Sequence, residues 1–170
     1  MKALFDIFIV QLADMYDAEN QTIKYLPKLI KICSSPELRE VLATHLEETK
    51  EQAKRLERIF AILQVEPEKT PCEAMKGLFR EAANLVKTRE ESPIVDAAII
   101  AAEQKIEHYE LASYTTLHSF AKHLGVDNEV VDLLQETLDE EATVNKALLK
   151  LADGTFFSHS INRQAALASL

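Results

Sequence analysis

The segment Ala101–Tyr114, AAEQKIEHYELASY, decides the fold of this chain and points to its site. It contains neither proline nor glycine, and its apolar residues recur at the spacing of an α-helix. Glu103, Glu107 and Glu110 stand four and then three residues apart, so they share one helical face. That face borders the apolar one, where a carboxylate is costly to bury without a positive partner. The segment therefore predicts a core helix whose carboxylates meet cations.

The composition of the whole chain is that of an all-α protein. Its 170 residues are enough for one domain with a sizeable core, and 47% of them are hydrophobic. Because the chain has only 3 glycines and 5 prolines, its turns must be few and its helices long. The net charge of −9, without a basic cluster, argues against nucleic acid and anionic membranes as partners.

The two cysteines indicate a reducing compartment. Cys33 and Cys72 are far apart in the sequence and form no CxxC motif. This usage is typical of cytosolic proteins, and no stretch is apolar enough to span a bilayer, so we expect a cytoplasmic location. We also expect both cysteines to be small buried hydrophobic residues.

Apolar periodicity divides the chain into four long helices and one short one. The long helices are predicted from about Leu4 to Ile32, from Pro36 to Leu63, from Pro93 to Leu124, and from Asp127 or Asn128 to Ala152. A short amphipathic helix over about Cys72–Lys87 lies in the connection between the second and third. Such a connection can carry the chain back along a bundle. Pro27, late in the first helix, should kink that helix or end it early.

These elements predict a ferritin-like four-helix up-down bundle over residues 1–152, with a long crossover that carries the short helix. Residues 153–170 form a C-terminal tail that contains Phe156, Phe157 and Ile161 with little charge. The sequence leaves open whether this tail packs on the bundle, packs on a partner subunit or is partly disordered.

Polar residues replace hydrophobic ones at the middle of the predicted inner stripes. Glu19 holds such a position in the first helix, His45 and Glu48 in the second, and Glu140 in the fourth. None of the candidate glutamates has Lys or Arg one turn away in its own helix. Two divalent cations would offset the repulsion and desolvation of carboxylates gathered at one level. The candidate ligands are Glu19, His45, Glu48, Glu107, Glu110 and Glu140.

Each candidate also has an ordinary structural interpretation. A single glutamate on a stripe commonly points into water or pairs with another helix, and a lone histidine such as His45 is commonly a hydrogen-bonded core residue. The occurrence of such a glutamate near the middle of all four long helices favours a metal site over these ordinary interpretations. Oxygen ligands suit magnesium, calcium or manganese, and an imidazole shifts the preference toward iron, manganese or zinc. Tyr16 and Tyr114 lie one turn from candidate glutamates, which could accept hydrogen bonds from their hydroxyls.

Four segments carry a family resemblance: DAENQ (17–21), HLEETKEQ (45–52), AAEQKIEHYELASYTTL (101–117) and ETLDEEAT (136–143). Over about residues 1–152 the chain resembles the YciE/YciF stress-response family, most closely its YciF branch. The resemblance implies a ferritin-like fold related to rubrerythrins, and a homodimer. It also implies a di-metal site, with iron as the first choice and manganese or zinc as alternatives. The ligands that it implies are Glu19, Glu48, Glu107, Glu110 and Glu140.

The ligand motifs depart from those of rubrerythrin-like sites, which use Glu-x-x-His on the second and fourth helices. Here the motifs read Glu48-Thr-Lys-Glu51 and Glu140-Glu-Ala-Thr143, and His45 is the nearby imidazole. This departure questions oxidase or peroxidase activity more than metal binding. If it is active, the protein should oxidise Fe(II) or reduce peroxide. The alternatives are a non-catalytic structural or protective dimer with a residual or empty site, and a helical adaptor with no site.

Overall fold

The computed structural model describes residues 3–67, 70–87, 90–154 and 159–168, and within them the regular structure is entirely helical. The six helices are α1 Leu4–Ile32, α2 Pro36–Leu63, α3 Glu73–Val86, α4 Pro93–Leu124, α5 Asn128–Asp153 and α6 Ile161–Leu167. The predicted all-α fold is confirmed, and the four long helices lie within a residue of their predicted bounds. None of the helices in these ranges is long and apolar enough to cross a membrane.

Short-range signals in the sequence account for the helix ends. The hydroxyls of Ser35 and Ser92 accept hydrogen bonds from the backbone N–H groups of Leu38 and Val95, and a proline follows each serine. Gly125 ends α4 in the left-handed conformation, with φ of 61°, which glycine adopts without steric cost. Ser35 and Ser92 thus mark the starts of α2 and α4, and Gly125 marks the turn from which α5 folds back along the bundle.

Pro27 does not end α1 early, which was one of the two outcomes expected for it. The helix continues to Ile32, and Pro27 itself is exposed. The residues around it on the inner face, Tyr25, Leu26 and Leu29, are buried. We attribute the continued helix to the burial of this apolar stripe, which offsets the hydrogen bond that proline removes.

The four long helices form a square in which neighbours are antiparallel. α1 packs against α2 and α4, and α5 packs against the same two helices. Hydrogen bonds from Thr22 to Glu110 and from Tyr114 to Glu19 run in opposite order along α1 and α4. α2 and α4 lie at opposite corners and run parallel, as a crossover between them requires. α3 is the short helix predicted within that crossover, and it packs on α4 and α1.

A buried carboxylate of α4 holds the turn between α1 and α2. Asp96 is 2% exposed and accepts hydrogen bonds from the Ser34 N–H (2.8 Å), the Ser34 hydroxyl (2.5 Å) and the Ser35 N–H (2.9 Å). These bonds satisfy donors just ahead of α2 that would otherwise lack partners. The start of α2 is thereby tied to the start of α4, which sets the register of the two parallel helices.

Replacing Asp96 with alanine should lower the free energy of unfolding by about 2–4 kcal/mol, because three donors lose a charged acceptor. Urea unfolding at neutral pH measures this difference. Asp96→Asn keeps one acceptor oxygen, so it should lose less than Asp96→Ala. Equal stability of Asp96→Ala and the wild type would show that the turn is held by other contacts.

A second set of polar contacts fastens the crossover. The Cys72 N–H donates to Asp17 Oδ2 at 2.7 Å, and the Tyr109 hydroxyl donates to Asp14 Oδ2 at 2.5 Å, with the Cys72 sulfur 3.0 Å from that hydroxyl. Both cysteines are buried and unpaired, as expected. The start of α3 is therefore fixed against both α1 and α4.

The tail contains one helix that the sequence did not predict. α6 packs on α4 and α5, and Ile161 is buried among their apolar residues. Phe156 and Phe157 lie outside the described residues. The division at residue 152 stays a prediction.

Candidate metal centre

A layer of buried polar side chains crosses the bundle and separates two hydrophobic clusters. One cluster includes Phe8 and Leu117, and the other includes Leu26 and Leu148. Each residue of the polar layer is at most 2% exposed, and all four long helices contribute to it. Its members are Glu19, Thr22, His45, Thr49, Gln52, Glu103, Glu107, Glu110, Thr137 and Glu141.

The layer forms because polar residues occupy positions that the apolar stripes would otherwise fill. In α4, three glutamates lie between the buried residues Ile99 and Tyr114 at intervals of three or four: Glu103, Glu107 and Glu110. Because the hydrophobic residues before and after the glutamates are buried, the helical face that they share must also point into the core. The carboxyls are therefore held in the interior by the packing of the rest of the helix.

Four potential ligands converge at the centre of the layer. They are His45, Glu107, Glu110 and Glu141, and one ligand atom from each lies within 4.8 Å of all the others. The His45 Nε2 atom is 3.3 Å from Glu107 Oε1. This approach lacks hydrogen-bond geometry, and neither ring nitrogen of His45 has a hydrogen-bond partner. The imidazole is thus free to donate a lone pair to a cation.

Two hydroxyl groups orient carboxyls at the edge of this cluster. Tyr114 donates to Glu19 Oε1 at 2.5 Å, which is the kind of partner expected for it, and Thr22 donates to Glu110 Oε1 at 3.4 Å. The second oxygens of Glu19 and Glu110 are buried without partners. Tyr16 instead donates to Glu57 at 2.6 Å, away from the layer.

Glu140 is not part of the layer, and the prediction that it fills the core position in α5 is wrong. Arg55 binds its carboxylate through both nitrogens, with distances of 2.6 Å to Oε2 and 2.7 Å to Oε1, and Glu140 is 23% exposed. Glu141, the next residue, is 0% exposed and belongs to the central cluster. Both positions fit the stripe between Thr137 and Val144, so the spacing could not separate them. The ion pair with Arg55 keeps Glu140 at the rim.

Two further glutamates lie near the cluster. Glu48 is half-buried at the edge of the layer, and its Oε2 is buried without a partner, so its role as a ligand stays a prediction. Glu103 was placed on this helical face but not among the candidate ligands, and both of its oxygens are buried without partners. The sequence could have indicated Glu103 as a site residue, because it precedes Glu107 by four residues and so lies on the same helical face.

Burial raises the pKa of every carboxyl in the layer, and repulsion between the carboxyls adds to this effect. The pKa lies well above its ordinary value at Glu19, Glu107 and Glu110, and reaches about 8 at Glu103. At Glu141, burial raises the pKa to about 7, and the neighbouring Glu107 and Gln52 side chains limit the rise. Burial lowers the pKa of His45 to about 4. Without cations these buried carboxyls therefore keep their protons to a higher pH than exposed carboxyls do.

The donor set fits a divalent cation. Buried polar atoms almost always have hydrogen-bond partners, yet this small volume contains unpartnered oxygens of several carboxyls beside a free imidazole. Mixed carboxylate and imidazole ligands favour iron, manganese or zinc over magnesium or calcium. A bound cation would satisfy the orphaned atoms and compensate the ionised carboxylates.

The fold and the layer together define a ferritin-like helical bundle with an acidic centre. Residues 3–166 match the family described as Domain of unknown function (DUF892), so the chain belongs to that family. Protein YciF of Escherichia coli strain K12 is 40% identical over 153 residues, which are 89% of this chain and 92% of that protein. The resemblance seen in the sequence is confirmed.

Solved structures confirm the fold. The crystal structure of the E. coli stress protein YciF has a TM-score of 0.85 at 39% identity, covering 89% of this chain and 95% of that one. YcfI from Rhodopseudomonas palustris, provisionally described as structural, has a TM-score of 0.84 at 37% identity, covering 89% and 96%. A protein from Xanthomonas campestris pv. campestris, at 20% identity and a TM-score of 0.69 over 98% of this chain and 94% of its own, shares the fold alone.

Proposed function

We propose that this chain binds two divalent cations in its polar layer, with iron as the first choice and manganese or zinc as alternatives. The observation that carries the proposal is the convergence of His45, Glu107, Glu110 and Glu141 within 4.8 Å, fully buried. Such a group is unstable in its ionised form unless cations compensate it. The stress-related naming of the E. coli relative supports a role in a stress response.

Charge balance favours two ions over one. When ionised, the five buried carboxylates of the layer, Glu19, Glu103, Glu107, Glu110 and Glu141, carry five negative charges, of which two divalent cations compensate four. A single ion would leave three charges uncompensated between hydrophobic clusters, at a large cost in free energy. The His45 imidazole adds a neutral ligand, so it does not change this balance.

The residues around the ligands have distinct parts to play. The central four would hold one ion, and Glu19 beside Glu110 would help to hold the second. Tyr114 and Thr22 fix the orientation of those two carboxylates through their hydrogen bonds. The hydrophobic clusters on both sides keep bulk water out. Bound redox-active ions would supply the electron exchange needed to oxidise Fe(II) or to reduce peroxide.

Metal titration of the chelator-treated chain tests the proposal. We expect two Mn²⁺ or anaerobic Fe²⁺ ions per chain by elemental analysis, with protons released on binding because the raised carboxyl pKa values must be overcome. Isothermal titration in two buffers of different ionisation enthalpy measures those protons. A chain that binds no ion under these conditions would contradict the proposal, and one ion per chain would contradict the charge argument.

The second candidate is a structural or protective protein whose layer works without metal. It is favoured by the raised pKa values, because protonated carboxyls can stay buried without cations. The provisional description of the R. palustris relative points the same way. Optical spectroscopy after anaerobic Fe²⁺ loading and exposure to oxygen separates the two, since only a redox-active site changes its absorption.

We also propose that the protein is a homodimer, as the family resemblance implies, and that it is cytoplasmic, as its cysteine usage indicates. Sedimentation analysis of the full chain tests the dimer. A monomer at micromolar concentration would contradict that part of the proposal and leave metal binding unaffected.

A further inference from the structure

A pocket of about 250 Å³ opens between α2 and α5 beside the polar layer. Its walls are Glu40, Val41, Thr44 and Glu48 from α2, and Thr143, Val144 and Ala147 from α5. Thr44 and Thr143 are exposed, whereas Val144 is buried. The pocket therefore runs from solvent toward the interior of the bundle.

The deep end of this pocket lies one helical turn from the central cluster. Glu48 follows His45 by three residues in α2, and Val144 follows Glu141 by three residues in α5. The Oε2 atom of Glu48 is buried and has no hydrogen-bond partner. Glu48 thus stands between the pocket and the cluster.

The short helices α3 and α6 pack on other faces of the bundle than the one between α2 and α5. α3 packs over α1 and α4, and α6 packs over α4 and α5. A larger pocket, of about 590 Å³, lies outside α1, but none of its lining residues has a buried polar side-chain atom without a partner. The pocket between α2 and α5 instead ends at a carboxylate beside the cluster.

We propose that this pocket is the port through which hydrated divalent cations reach the polar layer, with Glu48 passing them to Glu141. This inference rests on the proposed metal-binding function. An entering cation must exchange water for protein oxygens, and Glu40 at the mouth and Glu48 at the deep end offer carboxylates along the way. An acidic path also raises the local cation concentration. In this role Glu48 sets the rate of exchange and does not remain a ligand.

The rate of cation uptake tests the port. Chelator-treated protein is mixed with Co²⁺ in a stopped-flow instrument, and the visible absorption of the bound ion is followed. Ala147→Leu narrows the port without altering a residue of the polar layer. We expect it to slow uptake, and release to EDTA, by about tenfold each. The number of ions bound and the Kd should stay unchanged.

Glu48→Gln provides a second variant that preserves the shape of the port. It should slow uptake by about tenfold and weaken the dependence of the uptake rate on salt, because a steering charge is lost. Ala61→Leu is the matched control, since Ala61 lines another pocket of about 250 Å³, together with residues of the loop after α2. It should leave the rates at their wild-type values.

Each result decides a different point. Uptake at the wild-type rate in both Ala147→Leu and Glu48→Gln would overturn the port and leave the metal site standing. A raised Kd in Glu48→Gln with an unchanged uptake rate would also overturn it, because Glu48 would then be a permanent ligand. A wild-type chain that takes up no Co²⁺ would overturn both the port and the proposed function.

Discussion

Replacing Glu141 with glutamine should weaken metal binding by roughly 100-fold or more, whereas the same change at Glu140 should alter it by no more than about threefold. The two residues are adjacent and chemically identical, so they form a matched pair. Glu141 is buried in the central cluster, and Glu140 is bound by Arg55 at the rim. Only the first substitution removes a candidate ligand.

The physical reason lies in what each carboxylate faces. Glutamine at position 141 keeps one oxygen but loses the charge that a buried cation needs for compensation. At position 140 the lost charge is already neutralised by Arg55 and is partly screened by solvent. Glu140→Gln should therefore cost some stability through its broken ion pair but leave the central ligands intact.

Competition with a chelator of known affinity measures the Kd for Mn²⁺ in both variants. Far-UV circular dichroism confirms that both remain helical. If Glu140→Gln lost the metal and Glu141→Gln kept it, the original prediction from sequence would be restored, and our assignment of Glu141 to the site would be wrong.

The chelator-treated protein should lose stability as pH rises, by on the order of 3 kcal/mol between about pH 6.5 and about pH 8.5. Most small proteins change much less in this range. Here the folded state holds protons on buried carboxyls whose pKa values are raised, to about 7 at Glu141 and to about 8 at Glu103.

The sign follows from proton linkage. In the unfolded chain these carboxyls ionise near pH 4.5, so above that value the folded state binds more protons than the unfolded state. Their contribution is complete below the unfolded pKa and is lost as pH rises through the folded pKa. His45, with its pKa lowered to about 4, acts in the opposite sense, but only below its ordinary pKa of 6.5. Above about pH 6.5 the carboxyls therefore act alone.

Urea unfolding at several pH values, with EDTA or with saturating Mn²⁺, measures this effect. Bound cations keep the carboxylates ionised in the folded state, so saturating Mn²⁺ should flatten the pH dependence. Glu103→Gln removes one of the titrating groups and should reduce the slope. Stability of the EDTA-treated wild type that stays constant or rises over this range would contradict the protonated layer.

Helix bounds were predictable because their signals are local. Ser-Pro pairs open α2 and α4, and Gly125 closes α4, so neighbouring residues alone define these ends. The burial of Glu19 and Glu110 was equally predictable. In each case the flanking apolar residues permit one orientation of the helix, and that orientation turns the glutamate inward.

The errors came from contacts between distant parts of the chain. Glu140 and Glu141 fit the same stripe, and the choice between them depends on Arg55 in α2, which lies 85 residues away from Glu140. The hold of Asp96 on the turn before α2 was missed because an acidic residue in the first turn of a helix already has a local explanation. The spacing of residues along one helix does not predict which side chain of a distant helix will contact them.

The division of the apolar interior into two clusters has a consequence for cooperativity. The polar layer lies between the two clusters, and several of its buried oxygens have no hydrogen-bond partner. Filling the middle with tightly coordinated ions would crosslink all four long helices at one level. The two ends of the bundle would then unfold together as a single unit, so metal binding at the centre would stabilise both hydrophobic clusters.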